Sequence, residues 1–343
     1  MQVARVMGPR EIRLEEAPVP APGTGEALVR IKAVGICGSD LHYYAHGRIG
    51  DLRFASGHIL GHEVSGVVEA LGSGAPGPAP GTPVAVDPAI NCGWCRFCVE
   101  GNPNFCPNLR FFGSPPTPGA LQEYLTHPAQ LLLPLPPELP LPVGATIEAL
   151  GVAIHALDLG HLALGASVAV FGCGPIGLML ARLAQLAGAR LVCATEPLPH
   201  RRKVARQFGA TATFDPTHDD VVAGIRDRTD GQGVDVAFEA AGSASATVEA
   251  VRALRPGGTL VLIGYWEADA VTLPGITAMR KGLTLRFVRR MKHTFPRAIE
   301  LVRRGQVNLS ALVTHEFPLH RVAEAFSRAE RRSPDIIKAA VVL

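Results

Sequence analysis

An excess of one charge is missing from this sequence. Its 343 residues carry 33 Lys+Arg against 30 Asp+Glu, a formal net charge of +3, with arginine spread along the chain. That excludes the electrostatic footprint of a nucleic-acid binder and of a basic membrane surface. No apolar run approaches the ~18 residues that span a bilayer, so no membrane partner is expected. The start, MQVARVMGPREIRLEE, has early charges and no apolar core. No export signal is read there, and a cytoplasmic location is expected. Cysteine is sparse and odd in number, seven in all, with four between positions 92 and 106. Without an export signal, that points to reduced thiols and metal rather than a disulfide framework. Charged residues are only 18% against 47% hydrophobic, which excludes disorder and allows two or three domains with large cores.

What is present divides along the chain. Up to about residue 147, short apolar or alternating runs such as EALVRIKAV (26–34), EVSGVVEAL (63–71) and TPVAVDPAI (82–90) are bounded by Gly and Pro. They predict strands. GSGAPGPAPGTP (72–83) reads as a loop, and LLLPLPPELPLPVGA (131–145), with five prolines, reads as a linker. From 167 to 264 strand and helix patterns alternate, which predicts a doubly wound parallel sheet. Near 290 the rhythm changes: TFPRAIELVRRG predicts a helix, followed by short strands ending in IIKAAVVL.

Gly172, Gly174 and Gly177, with Cys173, Pro175 and Ile176 between them, form a G-x-G-x-x-G after an apolar strand and at a helix start. The first glycine makes the turn, the second admits a pyrophosphate, and the third packs helix on strand. Pro175 suits the first helical turn. Glu196, nineteen residues past the last glycine, is placed to accept from both ribose hydroxyls and to repel a 2′-phosphate, which predicts NAD. Arg201 and Arg202 carry the NADP alternative. A glycine-rich turn without nucleotide is the competing reading.

Cys92, Cys95, Cys98 and Cys106 have the spacing to wrap one tetrahedral Zn²⁺ in a closed, structural site. Free thiols or a redox pair are the alternatives. A zinc-ribbon nucleic-acid module would bring a basic surface, and this loop carries one Arg96 against one Glu100. Cys37 in GICGSD, and His62 and Glu63 in LGHE, offer three ligands with a corner left open for water or substrate. Glu148 is either a fourth, exchangeable ligand or the holder of the bound water. Taken singly, each of these has a bland reading as a core or surface residue.

The combination resembles the zinc-dependent medium-chain alcohol and polyol dehydrogenases over essentially the whole chain. The carrying residues are Gly61-His62-Glu63-x2-Gly66-x5-Gly72-x2-Ala75, the four-cysteine lobe and GCGPIG. GICGSDLHYYAHGRIGDL (35–52), LRFFGS (109–114) and a glutamate plus AIH at 148–155 are similar to the polyol branch of sorbitol, xylitol and L-idonate 5-dehydrogenases.

The resemblance implies a GroES-like, β-rich catalytic domain of residues 1–150 and 291–343, and a Rossmann domain of 151–290. It implies two zinc ions per chain, the catalytic one held by Cys37, His62 and Glu63 with Glu148 nearby. Ser39 matches the position that relays the substrate proton, with His42 as the next station. Tyr43 matches a polyol-contacting residue, and Arg290 a substrate-side arginine. Asp40 and Lys338 match positions behind the zinc, and a homotetramer is implied. The implied reaction is hydride transfer from a secondary alcohol of a polyol or sugar acid to NAD. An L-threonine 3-dehydrogenase-like enzyme and a non-catalytic nucleotide-binding relative are the alternatives. Three departures stand out: Gly57-His58 where relatives often have Pro-Met, Ala120 in place of a Gly, and Arg289-Arg290-Met291 in place of Phe-Arg-Tyr.

Overall fold

A computed structural model describes residues 1–343, which form two compact units. One comprises Met1–Ala149 and Phe295–Leu343, the other Leu150–Thr294.

The first unit opens with an antiparallel hairpin, β1 (Gln2–Gly8) and β2 (Glu11–Glu16). The predicted strand at 26–34 is β3 (Glu26–Gly35), buried along most of its length. It is followed by α1 (Gly38–His46), β4 (Glu63–Leu71) and β5 (Pro83–Val86). The run at 82–90 does not continue as one strand: it breaks after Val86, and Ala89–Ile90 pairs elsewhere. Asp87-Pro88 lies at the break, where proline removes a ladder donor. Next come β6 (Tyr124–Pro128) and β7 (Leu132–Pro134).

The proline-rich stretch is therefore not a free linker. Its first residues form a strand that pairs Leu132 with Val86. A short helical turn, Leu141–Gly144, lies near its end, and α2 (Ile147–Gly160) follows just beyond it. Contrary to the sequence reading, one helical run, Leu141–Gly160, is long and apolar enough by length and composition to cross a bilayer. Of its 18-residue apolar window, 78% is buried inside the protein, as in the core helix of a globular fold.

In the second unit, β8 (Ser167–Phe171), α3 (Pro175–Leu186), β9 (Leu191–Thr195), α4 (Pro199–Gln207) and β10 (Ala212–Phe214) build one half of a sheet. β11 (Val234–Glu239), α5 (Ala244–Ala253), β12 (Leu254–Leu262) and β13 (Thr284–Phe287) build the other. All six strands are parallel, in the order β10-β9-β8-β11-β12-β13. The order reverses between β8 and β11, the place where such sheets bind dinucleotides. Ala169, Phe171, Val234 and Leu260 are fully buried in its core.

The chain then returns to the first unit with β14 (Val313–Pro318) and β15 (Lys338–Val342). β15 pairs with β3, closing a seven-stranded sheet ordered β7-β5-β4-β3-β15-β14, with β6 also on β3. Val29, Ile31, Val64 and Val341 are among its buried core residues.

One buried histidine of this sheet gives a stability prediction. His127 on β6 is 2% exposed, and its Nε2 lies 2.8 Å from the carbonyl oxygen of Asp87. Burial pushes its pKa down to about 4, whereas an unfolded histidine titrates near ~6.5. Between those values the unfolded chain binds the extra proton. Stability therefore falls as pH drops from about 6.5 towards 4, by up to about 3 kcal/mol. Urea unfolding of wild type and His127→Gln at pH 7 and pH 4.5 checks this. The wild type is expected to lose more stability over that interval; equal losses would remove His127 as the cause.

Candidate functional site

Strand register builds the first cluster. On β3, Gly35 lies opposite Glu63 on β4 and opposite Ala340 on β15. Cys37, two residues beyond Gly35, is thereby brought to His62 and Glu63, and Lys338 to their rear. A Cβ on Gly35 would lie 2.3 Å from Glu63 Oε2 and 3.2 Å from Lys338 Cε, so only glycine leaves room for this approach. One ligand atom each from Cys37, His62 and Glu63 lies within 4.8 Å of the other two.

Cys37 caps the N-terminus of α1, and its sulfur accepts the backbone N–H of Asp40. Its own N–H donates to Asp40 Oδ2 at 3.0 Å. The other oxygen of Asp40 stands 3.3 Å from His62 Nδ1. Burial opposes a charge on His62, yet Asp40 and Cys37 raise its proton affinity well above the ordinary histidine value. An imidazole between a carboxylate and a sulfur is a donor set that suits a cation. Lys338, 3% exposed, has its Nζ 2.5 Å from Glu63 Oε1. Burial lowers its pKa, but Glu63 and Cys37 together hold it above the usual value. A thiolate, an imidazole and a carboxylate, with their rear faces held by Asp40 and Lys338, suit one Zn²⁺ with an open position.

Glu148 is buried in the first turn of α2 but does not belong to the 4.8 Å group. Ser39 and His42, both half-buried on α1, are three residues apart and share a helix face. Tyr43 is buried, and its hydroxyl lies 3.1 Å from Ser114 Oγ. The Phe111 ring lies 5.2 Å from that of His62. Ser114 and Phe111 were not singled out as site residues, although the RFFGS run contains both; which of its side chains faces the cluster depends on the fold. Arg290 belongs to the second unit, half-buried past the end of β13, with a left-handed φ of 59°.

The cysteine lobe gathers as its spacing predicts. The Sγ of Cys92 is 3.5 Å from Cys106 and 4.0 Å from Cys98, and Cys95 is 3.5 Å from Cys98. None is in a disulfide. Four sulfurs about 2.3 Å from a central zinc stand about 3.8 Å apart, so these separations fit the ion. Burial raises the Cys92 thiol, but the backbone N–H groups of Cys95 and Trp94 outweigh it and hold it at about 6. Burial and the neighbouring Cys95 push Cys98 up to about 12. A divalent cation is what allows all the thiols of such a group to ionise together.

The glycine-rich turn joins β8 to α3. Gly172 has φ 96°, and a Cβ there would lie 2.9 Å from Ala241; one on Gly177 would lie 1.8 Å from the Gly172 carbonyl oxygen. A Cβ on Gly174 would meet nothing nearer than Arg201 Nη1 at 4.0 Å. Two glycines thus serve close packing. The third leaves an open cradle at the N-terminus of a 12-residue helix, beside an arginine, and this fits a pyrophosphate. Pro175 starts α3, with half-buried Ile176 behind it.

Glu196 is 4% exposed and accepts N–H groups from Cys173 (2.9 Å) and Leu198 (3.2 Å). Burial and Glu196 together push the Cys173 thiol pKa up. Arg202 is engaged elsewhere: it donates to the carbonyls of Glu196 and Pro197 and pairs with Asp215 at 2.9 Å. Arg201, by contrast, reaches the cradle.

Comparison with known proteins bears on this arrangement. The sequence pattern of the alcohol dehydrogenase GroES-like domain matches residues 23–137, and that of the zinc-binding dehydrogenases matches 175–304. A sorbitol dehydrogenase of Bacillus subtilis is 35% identical over 99% of this chain and 97% of its own length. A sorbitol dehydrogenase of Gallus gallus is 37% identical over 94% of this chain and 91% of its own. The solved structure of L-idonate 5-dehydrogenase from Escherichia coli superposes with a TM-score of 0.92 at 30% identity, covering 100% of this chain and 98% of that one.

Proposed function

We propose, from the premise that this chain belongs to the zinc-dependent medium-chain alcohol and polyol dehydrogenase family, that it oxidises a secondary alcohol of a polyol or sugar acid to the ketone with NAD as hydride acceptor. The carrying observation is the Cys37–His62–Glu63 group, backed by Asp40 and Lys338. When bound, zinc supplies the Lewis acidity that makes an alkoxide accessible near neutral pH, and the nicotinamide supplies the hydride acceptor.

Cys37, His62 and Glu63 hold the metal, and two of them bring −2 against its +2. Asp40 fixes the His62 ring and the Cys37 backbone; Lys338 fixes the Glu63 carboxylate. Ser39 Oγ takes the proton of the substrate hydroxyl and passes it to the His42 imidazole. Glu148 either completes the ligand set or holds the water. The Tyr43 and Ser114 hydroxyls offer hydrogen bonds to the further hydroxyls that a polyol carries. Cys92, Cys95, Cys98 and Cys106 hold the structural zinc. The reading extends, on the family resemblance, to a cytoplasmic homotetramer.

Gly172, Gly174 and Gly177 seat the dinucleotide, with Arg201 at its pyrophosphate and Glu196 at its adenosine ribose. NAD is preferred in this reading because Arg202 is committed to Asp215 and Glu196 repels a 2′-phosphate. Glu196→Ala is expected to raise the KM for NAD about tenfold, the loss of a charge-assisted hydrogen bond, and to narrow the gap to NADP. A wild-type KM lower for NADP than for NAD would overturn the assignment.

The test of the function is NADH formation with L-idonate, sorbitol, xylitol and L-threonine side by side. Turnover of a polyol or aldonate well above L-threonine is expected. An aldonate in the lead assigns its acid group to the basic run of Arg289, Arg290 and Lys292; a neutral polyol in the lead leaves that run without such a role. L-threonine in the lead contradicts the reading.

A further inference from the structure

At the carboxyl ends of β8, β11 and β12 three turns interlock. Ala241 fills the space where a Cβ on Gly172 would lie. The Ala240 N–H donates to the carbonyl oxygen of Phe171 at 2.8 Å. A Cβ on Gly242 would stand 2.2 Å from the Tyr265 carbonyl oxygen, and one on Gly264 2.1 Å from the Gly242 nitrogen. Close packing of backbone on backbone leaves this region little freedom to adjust.

Glu239 ends β11 in the middle of these turns. It pairs in register with Phe171 on one side and Leu262 on the other. It is fully buried, at 0% exposure. Its Oε1 accepts the N–H of Ala241 at 2.9 Å and that of Ser243 at 3.3 Å. Its Oε2 is buried with no hydrogen-bond partner and faces Gly264, where a Cβ would lie 3.0 Å away. Burial raises its pKa above the ordinary carboxylate value, against the pull of the Ser243, Ala241 and Gly242 N–H groups. A buried carboxyl with one oxygen unpaired is costly to a fold. The reaction proposed above does not use it.

We infer that Glu239 is a positioning residue for dinucleotide binding: Oε1 holds the Ala240–Ser243 turn, and that turn, through Ala241, sets the Gly172 turn that meets the pyrophosphate. The inference rests on the nucleotide-site reading given above. Glu239 acts through backbone and does not touch the cofactor. Its effect therefore falls on cofactor affinity and not on the chemical step. An amide oxygen at the same place accepts the same N–H groups, so the glutamine variant preserves the function. An aspartate is one methylene short and cannot keep both contacts.

The test uses the full-length, zinc-loaded protein as wild type, Glu239→Gln, Glu239→Asp and Glu239→Leu. NADH dissociation constants come from fluorescence titration without turnover, alongside zinc content, melting temperature, KM for NAD and kcat. Glu239→Gln is expected within about threefold of the wild-type dissociation constant. Glu239→Asp and Glu239→Leu are expected to weaken NADH binding and raise the KM for NAD by about tenfold, with kcat at saturating NAD within about threefold and zinc content unchanged. If Glu239→Leu does not fold, the aspartate and glutamine variants decide on the same criterion. A lower melting temperature in Glu239→Asp with unchanged NADH affinity overturns the inference and leaves Glu239 a purely structural residue. A fall in kcat at saturating NAD as large as the rise in KM also overturns it. Wild-type protein that binds no NADH overturns the nucleotide-site reading itself, and the inference with it.

Discussion

Cys37→Ser is expected to lower kcat/KM for the best polyol by about a thousandfold or more while leaving one zinc per chain. Cys37, His62 and Glu63 supply three donors, and Cys37 is the soft one of the three. A serine hydroxyl stays protonated near neutral pH and binds zinc weakly. Losing the metal forfeits the several kcal/mol of charge stabilisation that a Lewis acid gives a developing alkoxide, and about 4 kcal/mol is a thousandfold in rate. The fold should persist, because Cys37 is half-buried and Asp40 still caps its backbone N–H. Zinc analysis, melting temperature and turnover on the same preparation test this. Wild-type turnover with one zinc per chain would remove Cys37 from the catalytic site.

Cys106→Ser is expected to act in the opposite way, on stability more than on chemistry. Cys106 is 1% exposed, and its sulfur sits 3.5 Å from that of Cys92. Around this group the chain has few buried apolar side chains: Trp94 and Val99 are each 74% exposed, and Phe97 and Phe105 are also exposed. A lobe with so little core would depend on a bound metal, as small metal-bound modules do. Loss of the ion should cost about 4 kcal/mol or more, a drop of about 10 °C in melting temperature, and one zinc per chain. The folded fraction should keep most of its kcat. Unchanged zinc content and melting temperature would instead mark these cysteines as free thiols or a redox pair.

The doubly wound half of the molecule was legible because its signals are local. Each strand and helix between 167 and 264 carries its own period, and the glycine turn carries its own sterics. The proline-rich stretch was not, because whether Leu132–Pro134 is strand or linker depends on pairing with Val84–Val86, some fifty residues away in the chain. Nor does a sequence reveal that most of the apolar run Leu141–Gly160 is buried inside the protein.

Taken singly, Cys37, His62 and Glu63 each had an ordinary reading, and the family resemblance supplied their union. The structure supplies the cause: the Gly35–Glu63 register, with glycine making room for the carboxylate and Lys338. The Tyr43–Ser114 contact, the commitment of Arg202 to Asp215 and the isolation of Glu239 at a strand end are all products of burial and side-chain direction. Composition and spacing do not encode those quantities.

If this chain oxidises a polyol or aldonate through a metal held at Cys37, His62 and Glu63, its turnover depends on a removable second zinc. The most direct measurement follows NADH appearance from sorbitol, xylitol and L-idonate as zinc is removed by chelation and then restored. Turnover of at least one of these substrates is expected, with its loss while the structural zinc remains and its recovery when a second zinc per chain returns. Turnover that survives with the second zinc absent would contradict this reading.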